Sequence, residues 1–422
     1  MSSTNTGKAG GFPGDRYPCG TLKRRGFLGA AAAAVGSPWI IGRGARADGP
    51  SDVAGATAHG PKVEKSKFDL PGLYPGRVVE VKNPKMCVAG KKDRAAIKAS
   101  LDRGLTSLTG ADDAVGAWRT FFEPGDVVGI KVVPNGYPHA FSSYELVLET
   151  IEGLKAAGVK TSDIFVYERF RSEMQSARYP EMLPDGVRWG GLTATNAPQV
   201  QLDFEGFKND PVAGYDPDAF IQMDLVHYGM DPKDDRQYRS HLGKLLTKVV
   251  NKVVAIPCLK DHRSAGITGA LKNISHGSVN NVARSHANNF TNTCNQFIPQ
   301  VVSHPVLRSK FVLQIMDGVR GLYNGGPLGT PDGRWTWDNN ALLLATDPVA
   351  LDHIEWNYID AKRKAESLPP VAATGKVALD PLKMEAFDVR QPQHVALAGT
   401  LGLGTYLLEG KGPLIKHDVI TI

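Results

Sequence analysis

Apolar residues along this chain gather into short runs separated by glycine, proline and charged stretches. Arg77-Val78-Val79-Glu80-Val81 reads as a strand, and Asp126-Val127-Val128-Gly129-Ile130-Lys131-Val132-Val133 is apolar almost throughout, the pattern of a strand covered on both faces. Asp163 to Glu168, Lys252 to Ile256, Phe311 to Met316 and Ala341 to Ala345 read the same way. Between them, Lys91 to Leu108 and Ser142 to Ala157 read as helices, the second with Ser142 or Ser143 as its cap and Gly158 as its stop. Asp347-Pro348 opens another helix running to about Lys364, with the acid as cap and proline in the first turn. Strands alternating with helices predict an α/β fold, a mostly parallel sheet flanked by helices with right-handed crossovers. The length suits either one large unit with insertions or two lobes sharing a cleft. Residues 171–240 are richer in Pro, Gly, Asp and Tyr with little periodicity, which predicts an inserted cap over the sheet edge.

The amino-terminal pattern is of another kind. Leu22-Lys23-Arg24-Arg25-Gly26-Phe27-Leu28 places paired arginines before Phe-Leu, an Ala/Gly-rich apolar stretch runs on to Ile41, and Ala45-Arg46-Ala47 resembles a cleavage site. This order predicts a twin-arginine export signal over 1–47, recognition by the twin-arginine export machinery, and a periplasmic or extracellular protein spanning 48–422. The apolar stretch holds Pro38 and falls short of about twenty residues, so no lasting membrane anchor is expected.

Charge sharpens this division. The formal net charge is +6, and residues 1–47 carry seven basic side chains against the single acid Asp15, so the remainder is formally neutral. No basic face argues for nucleic acid, and a small-molecule ligand is the expected partner. Beyond the signal lie Cys87, Cys258 and Cys294, without the close spacing of a zinc ribbon or iron-sulfur site; no iron-sulfur cluster is expected, and one disulfide is permitted.

Chemistry concentrates between Pro257 and Asn273, where two lysines, a histidine, an aspartate and two glycines follow a strand and open a helix. Alternation along the extended segment puts Lys260 and His262 on one side and Asp261 on the other. Gly266 and Gly269 let the backbone approach a bound group. Lys272 falls in the first turn of the helix, where the helix dipole and the charge of Lys260 favour a neutral, nucleophilic amine. The Pro134–His139 loop ends a neighbouring strand, so His139 is a candidate second acid/base, while Lys131 and Asn135 are candidates to hold an anion. His276 lies four residues past Lys272 and His286 follows in an Asn/His-rich stretch with Asn288 and Asn289; both histidines are candidate metal ligands. Asp317 either orients a ligand or caps a turn, Asp352 reads as a helix-face acid, and the Tyr323–Trp337 segment is a candidate lid.

Pro257, Leu259, Lys260 and His262, followed by Gly266 and Thr268 to Asn273, resemble the hallmark of a bacterial family of unknown function, three-six-two; the Gly129, Asp317-Gly318 and Thr346–Asp352 segments resemble it too. Some members of that family carry a ferredoxin-like cysteine cluster, which this sequence lacks. The stretch from His262 through Ala265, Gly266, Thr268 and Gly269 to Lys272 is also similar to one in the nickel-pincer lactate racemase family, with the same ten-residue step from histidine to lysine. That likeness implies a cofactor carried covalently on Lys272, with Gly266, Thr268, Gly269 and Asn273 around it, His262 as acid/base, and His276 or His286 as nickel ligand. Thr268 and Ala270 depart from that pattern, as does the Pro134–His139 loop.

Three functions compete. The first is an exported enzyme of racemase or epimerase type acting at a hydroxyl-bearing carbon, with Lys260, His262 and His139 catalytic. The second is a binding module that clamps a carboxylate or phosphate at a helix N-terminus between Lys260 and Lys272. The third is a hydrolase with a histidine-bound metal.

Overall fold

A computed structural model of the chain describes residues 56–195, 204, 210, 212–223, 233–286, 293–372 and 392–422. The segment expected as an export signal and the asparagines Asn288 and Asn289 lie outside the described residues. In chain order the principal strands are β1 (Ala56–His59), β2 (Arg77–Lys82), β3 (Val128–Lys131), β4 (Ile164–Phe170), β5 (Arg188–Thr193), β6 (Tyr215–Met223), β7 (Arg239–Gly243), β8 (Lys252–Ala255), β9 (Cys258–His262), β10 (Phe311–Leu322), β11 (Thr336–Ala345) and β12 (Lys416–Thr421). The principal helices are α1 (Arg94–Thr109), α2 (Tyr144–Ala156), α3 (Arg171–Ser176), α4 (Gly269–His276), α5 (Cys294–Val302), α6 (Pro348–Ala365) and α7 (Gln393–Thr400).

The main sheet runs β12-β2-β11-β10-β8-β3-β4-β5, with β9 prolonging the line of β8 alongside β10. Every neighbouring pair is parallel except those that β11 makes with β2 and β10. Alternating side chains divide the core between the two faces. Val254, Leu342 and Leu344 pack on the face with α1 and α2, whereas Val253, Ala255 and Leu343 pack with α4, α5 and α6. The α/β expectation is met by this helix-sheet-helix arrangement, and among the described residues no helix is long and apolar enough to cross a membrane.

Helix boundaries follow their caps. Asp93 accepts the Ala96 N–H at 2.8 Å, so α1 begins after Lys91 and Lys92, which instead pair with Cys87 and Val88. Asp347 opens α6 by accepting the Val349 and Ala350 N–H groups at 3.0 and 2.9 Å. Ser143 precedes α2 and is anchored to Asp317, whose Oδ2 accepts both its N–H and its hydroxyl; Asp317 is therefore a turn-holding acid.

Residues 171–240 divide between two structures. β5 is the last strand in the main sheet, whereas β6 and β7 join β1 in a separate antiparallel sheet. The strand character of β5 is masked by Gly190 and Gly191. A Cβ at Gly191 would lie 2.1 Å from the Arg171 nitrogen and one at Gly190 2.9 Å from Val212, so close neighbours exclude the side chains that would have marked a strand.

Candidate active-site cleft

Because β3, β4, β8 and β10 are parallel, their carboxyl ends share one edge, the usual place for ligands in open α/β sheets. Lys131 ends β3, Glu168 and Arg169 end β4, and the continuation of β8 through Pro257 carries Lys260 and His262 on β9. The chain then turns through Gly266 and opens α4, bringing Lys272, Asn273 and His276 to the same edge.

Three buried lysines arrive there in different electrostatic states. The Lys131 amine is ion-paired with Glu168 and donates to the Val132 carbonyl at 2.8 Å and Asn273 Oδ1 at 2.7 Å. Its path crosses Gly277, where a Cβ would lie 2.1 Å from Lys131 Cε. The Lys260 amine donates to both oxygens of Asn135 at 2.7 Å and to the Pro327 carbonyl at 3.2 Å, joining the 134–139 loop to the 323–337 segment. Asp261 secures the same segment by accepting the Gly326 N–H at 2.7 Å. The amine of Lys272, a residue 9% exposed, has no hydrogen bond or ion pair among the described residues. Burial lowers its pKa to about 8, and Arg169 and Lys260 add repulsion against the partly opposing influence of Cys294.

The positive end of α4 is occupied by Asp352. Its Oδ1 accepts the Ala270 N–H at 2.5 Å and its Oδ2 the Leu271 N–H at 2.9 Å, while burial pushes the carboxyl up to about 8. Gly269, with φ of +57°, is packed against that carboxylate, and a Cβ there would lie 2.5 Å from it. Gly266, with φ of +83°, packs likewise on Pro392. Both glycines therefore permit contacts within the fold, and desolvation is what lowers the Lys272 pKa most.

A cleft opens beside Lys272, lined also by Lys131, Asn135, Glu168, Arg169, Glu173, Thr268, Asn273 and His276. The carboxyl of Glu173, on α3, has no hydrogen bond or ion pair among the described residues, and burial followed by the nearby Glu168 raises its pKa to about 7. Arg169 donates to the carbonyl of His276 at 3.0 Å, where a cation meets the negative end of α4, and neither its buried Nε nor the buried Nδ2 of Asn273 has a hydrogen-bond partner among the described residues.

The histidines differ in tautomer. His262 Nδ1 accepts the N–H groups of Ser264 and Ala265 at 3.0 and 3.1 Å, so the ring proton sits on Nε2 and the imidazole is a donor. Burial, reinforced by Lys272, holds it neutral. His262, His286 and His276 form a file with ring centroids 5.8 and 4.9 Å apart. Both nitrogens of His276 are engaged by serine hydroxyls, Nδ1 with Ser275 at 3.0 Å and Nε2 with Ser285 at 2.9 Å. His286 donates from Nδ1 to the Val282 carbonyl at 3.1 Å, and its Nε2 has no hydrogen bond among the described residues. Among the described residues, no group of three or more His, Cys, Asp or Glu side chains is arranged to hold a metal, and Cys87, Cys258 and Cys294 form no disulfide.

Residues 228–356 match the family described as Domain of unknown function (DUF362). The chain contains a DUF362 domain. No curated protein matches the chain. The DUF362 domain supplies Lys260, His262, Thr268, Lys272, Asn273, His276 and His286, whereas Lys131, Glu168, Arg169 and Glu173 come from strands and a helix that precede it.

Of the residues singled out from the sequence, Lys131, Asn135, Thr268, Lys272, Asn273 and His276 line the cleft, whereas Lys260, His262 and His286 are not among its lining residues. His139 is not a cleft residue; its Nε2 meets the Pro331 carbonyl at 3.0 Å and its ring packs on Gly333. Sequence reasoning missed Glu168, Arg169 and Glu173. Their signal was an apolar run, Ile164 to Tyr167, that turns abruptly charged at the strand end where parallel neighbours place a site.

Proposed function

We propose that the cleft is the active site of an exported enzyme with racemase- or epimerase-like acid/base chemistry on a small hydroxylated substrate, in which Lys272 carries a covalently bound group. The supporting observation is the uncommitted Lys272 amine at the cleft wall, beside two lysines whose amines are saturated. With a pKa of about 8, a useful fraction of that amine is neutral near pH 7 and able to form a covalent bond. Glu173, at about 7, is the acid/base residue of the cleft, since a group titrating near ambient pH both accepts and returns protons. His262 contributes as a neutral donor through Nε2, a role different from that of a base.

The racemase likeness implies a nickel-pincer cofactor. The donor set fits it in part: Lys272 offers the amine that would anchor such a group, and His286 Nε2 is the imidazole lone pair available to its metal, since both nitrogens of His276 are spent. Such a cofactor would supply reversible hydride acceptance at the substrate carbon. Arg169 and Asn273 would orient an anionic or hydroxylated ligand. A clamp at the α4 N-terminus is disfavoured, because Asp352 already takes its amide groups.

Intact-mass measurement on native protein, combined with metal analysis, tests this reading. A mass increment present in the natural chain and lost in Lys272→Ala is expected. An unmodified mass in both chains, together with saturable binding of inorganic phosphate or a carboxylate, would replace the enzyme with a binding module.

A further inference from the structure

We propose that Arg169 and Asn273 form a clamp for a single carboxylate, so that the ligand of the cleft is a small monoanionic carboxylic acid. This inference rests on the reading of the cleft as the place where substrate binds, and not on covalent chemistry at Lys272. Asn273 is 4% exposed, and its partner fixes the orientation of its amide. Oδ1 lies 2.7 Å from the Lys131 amine, which can only donate, so that atom is the oxygen and Nδ2 carries the protons. Nδ2 is buried with no hydrogen-bond partner among the described residues, as is Nε of Arg169, and both residues line the cleft.

Two buried donors without acceptors cost stability unless a ligand supplies the acceptors. A closed circuit of contacts holds them at one wall. Asn273 accepts from Lys131, Lys131 is ion-paired with Glu168, and Glu168 Oε1 accepts the Arg169 N–H at 2.7 Å. The Arg169 guanidinium then returns to α4, donating to the His276 carbonyl three residues past Asn273. Its central carbon stands 4.1 Å from the Phe170 ring centroid, and it has no ion pair among the described residues. The neighbouring lysines offer a ligand nothing comparable. The Lys131 amine commits its three N–H groups to Val132, Glu168 and Asn273, and the Lys260 amine commits its own to Asn135 and Pro327.

Charge and shape select the anion. Fully ionised, the lining residues Lys131, Arg169 and Lys272 stand against Glu168 and Glu173, a formal excess of one positive charge. A monoanion balances that excess, whereas a dianion such as phosphate leaves an uncompensated charge in a partly buried site. A carboxylate is planar with two equivalent oxygens, so one can accept from Arg169 Nε and the other from Asn273 Nδ2. The cavity volume is about 70 Å³, which suits a short-chain acid. Lys272 and Glu173, lining the same cleft, are left for the rest of the molecule.

Titration of the full chain with propionate, followed through the side-chain amide signals of nitrogen-15-labelled asparagine, tests the clamp. Saturable binding is expected, with a shift of the Asn273 amide signals, assigned by their loss in Asn273→Asp, that propionamide does not produce. Saturation without that shift overturns the proposal even if no variant folds. Asn273→Asp keeps the acceptor for Lys131 but offers no N–H, and Arg169→Met keeps the bulk without the charge. Each is expected to weaken propionate binding tenfold or more, and unchanged affinity in either variant overturns the clamp. Inorganic phosphate is expected to bind at least tenfold more weakly than propionate; equal or tighter phosphate binding overturns the assignment to a carboxylate. Failure of the natural chain to bind either anion overturns this inference and leaves the Lys272 reading to its own mass measurement. A missing mass increment at Lys272 with propionate bound at Asn273 overturns that reading and upholds the clamp.

Discussion

Lys131 and Lys272 are both buried lysines at one sheet edge, yet truncating them should move stability in opposite directions. Lys131→Met removes the partner of Glu168 and leaves a buried carboxylate uncompensated, a loss of about 3–5 kcal/mol. Lys272→Met replaces an amine that pays for its burial without a partner. Its pKa falls from 10.5 to about 8, so charging it in the folded state costs about 3 kcal/mol below pH 8. A base with a lowered folded pKa recovers that cost as pH rises from 8 towards 10.5. Urea denaturation at pH 7 should accordingly find Lys272→Met more stable than the natural chain by about 1–3 kcal/mol, with the gain shrinking above pH 8. A loss of stability at pH 7 would mean that the amine has a partner and is structural.

At the scale of elements, the α4 turn is held from outside by α6. Gly269→Ala would force a left-handed backbone on a side chain, about 1–2 kcal/mol, and drive its Cβ into the Asp352 carboxylate that caps α4. With the cap disturbed, a total loss of about 2–4 kcal/mol is expected in denaturant titrations. Asp352→Asn, which keeps an acceptor for one amide, should cost less, and equal losses would show that backbone strain at Gly269 is not what matters. Asp352 also marks the limit of what was legible in advance. β2, β3, β4, β8 and β11 were readable because apolar runs of four to eight residues have few other uses, and Lys272, Asn273 and His276 were readable because one helix carries all three. Glu173 was not, since the parallel pairing of β4 brings it in from far along the chain. The capping role of Asp352 escaped for the same reason: a residue that closes another helix's end looks, from its own helix, like an ordinary polar position.

For the whole molecule, the interior histidines set the response to acid. Burial holds His262 and His276 well below their ordinary pKa, His286 and His394 at about 3, and His304 at about 4. Each binds a proton when the chain unfolds below pH 6.5, so each removes stability as pH falls, at up to about 1.4 kcal/mol per pH unit. Carboxyls with raised pKa act in the opposite sense. Glu173 at about 7, Asp352 at about 8, and Glu355, raised by burial, keep protons in the fold that the unfolded chain releases above about 4.5. Above pH 6.5 the histidines no longer contribute, and these carboxyls lower stability as pH rises towards 8. Between 6.5 and 4.5 the histidines outnumber the carboxyls, and below 4.5 that compensation fades while His286 and His394 still refuse a proton in the fold. Urea midpoints measured from pH 8 to pH 4 should therefore pass through a maximum near 6.5 and fall most steeply below 4.5. In His394→Gln the acid slope should flatten by about one proton, and an unchanged slope would place a charged, solvated imidazole where a neutral, buried one is required.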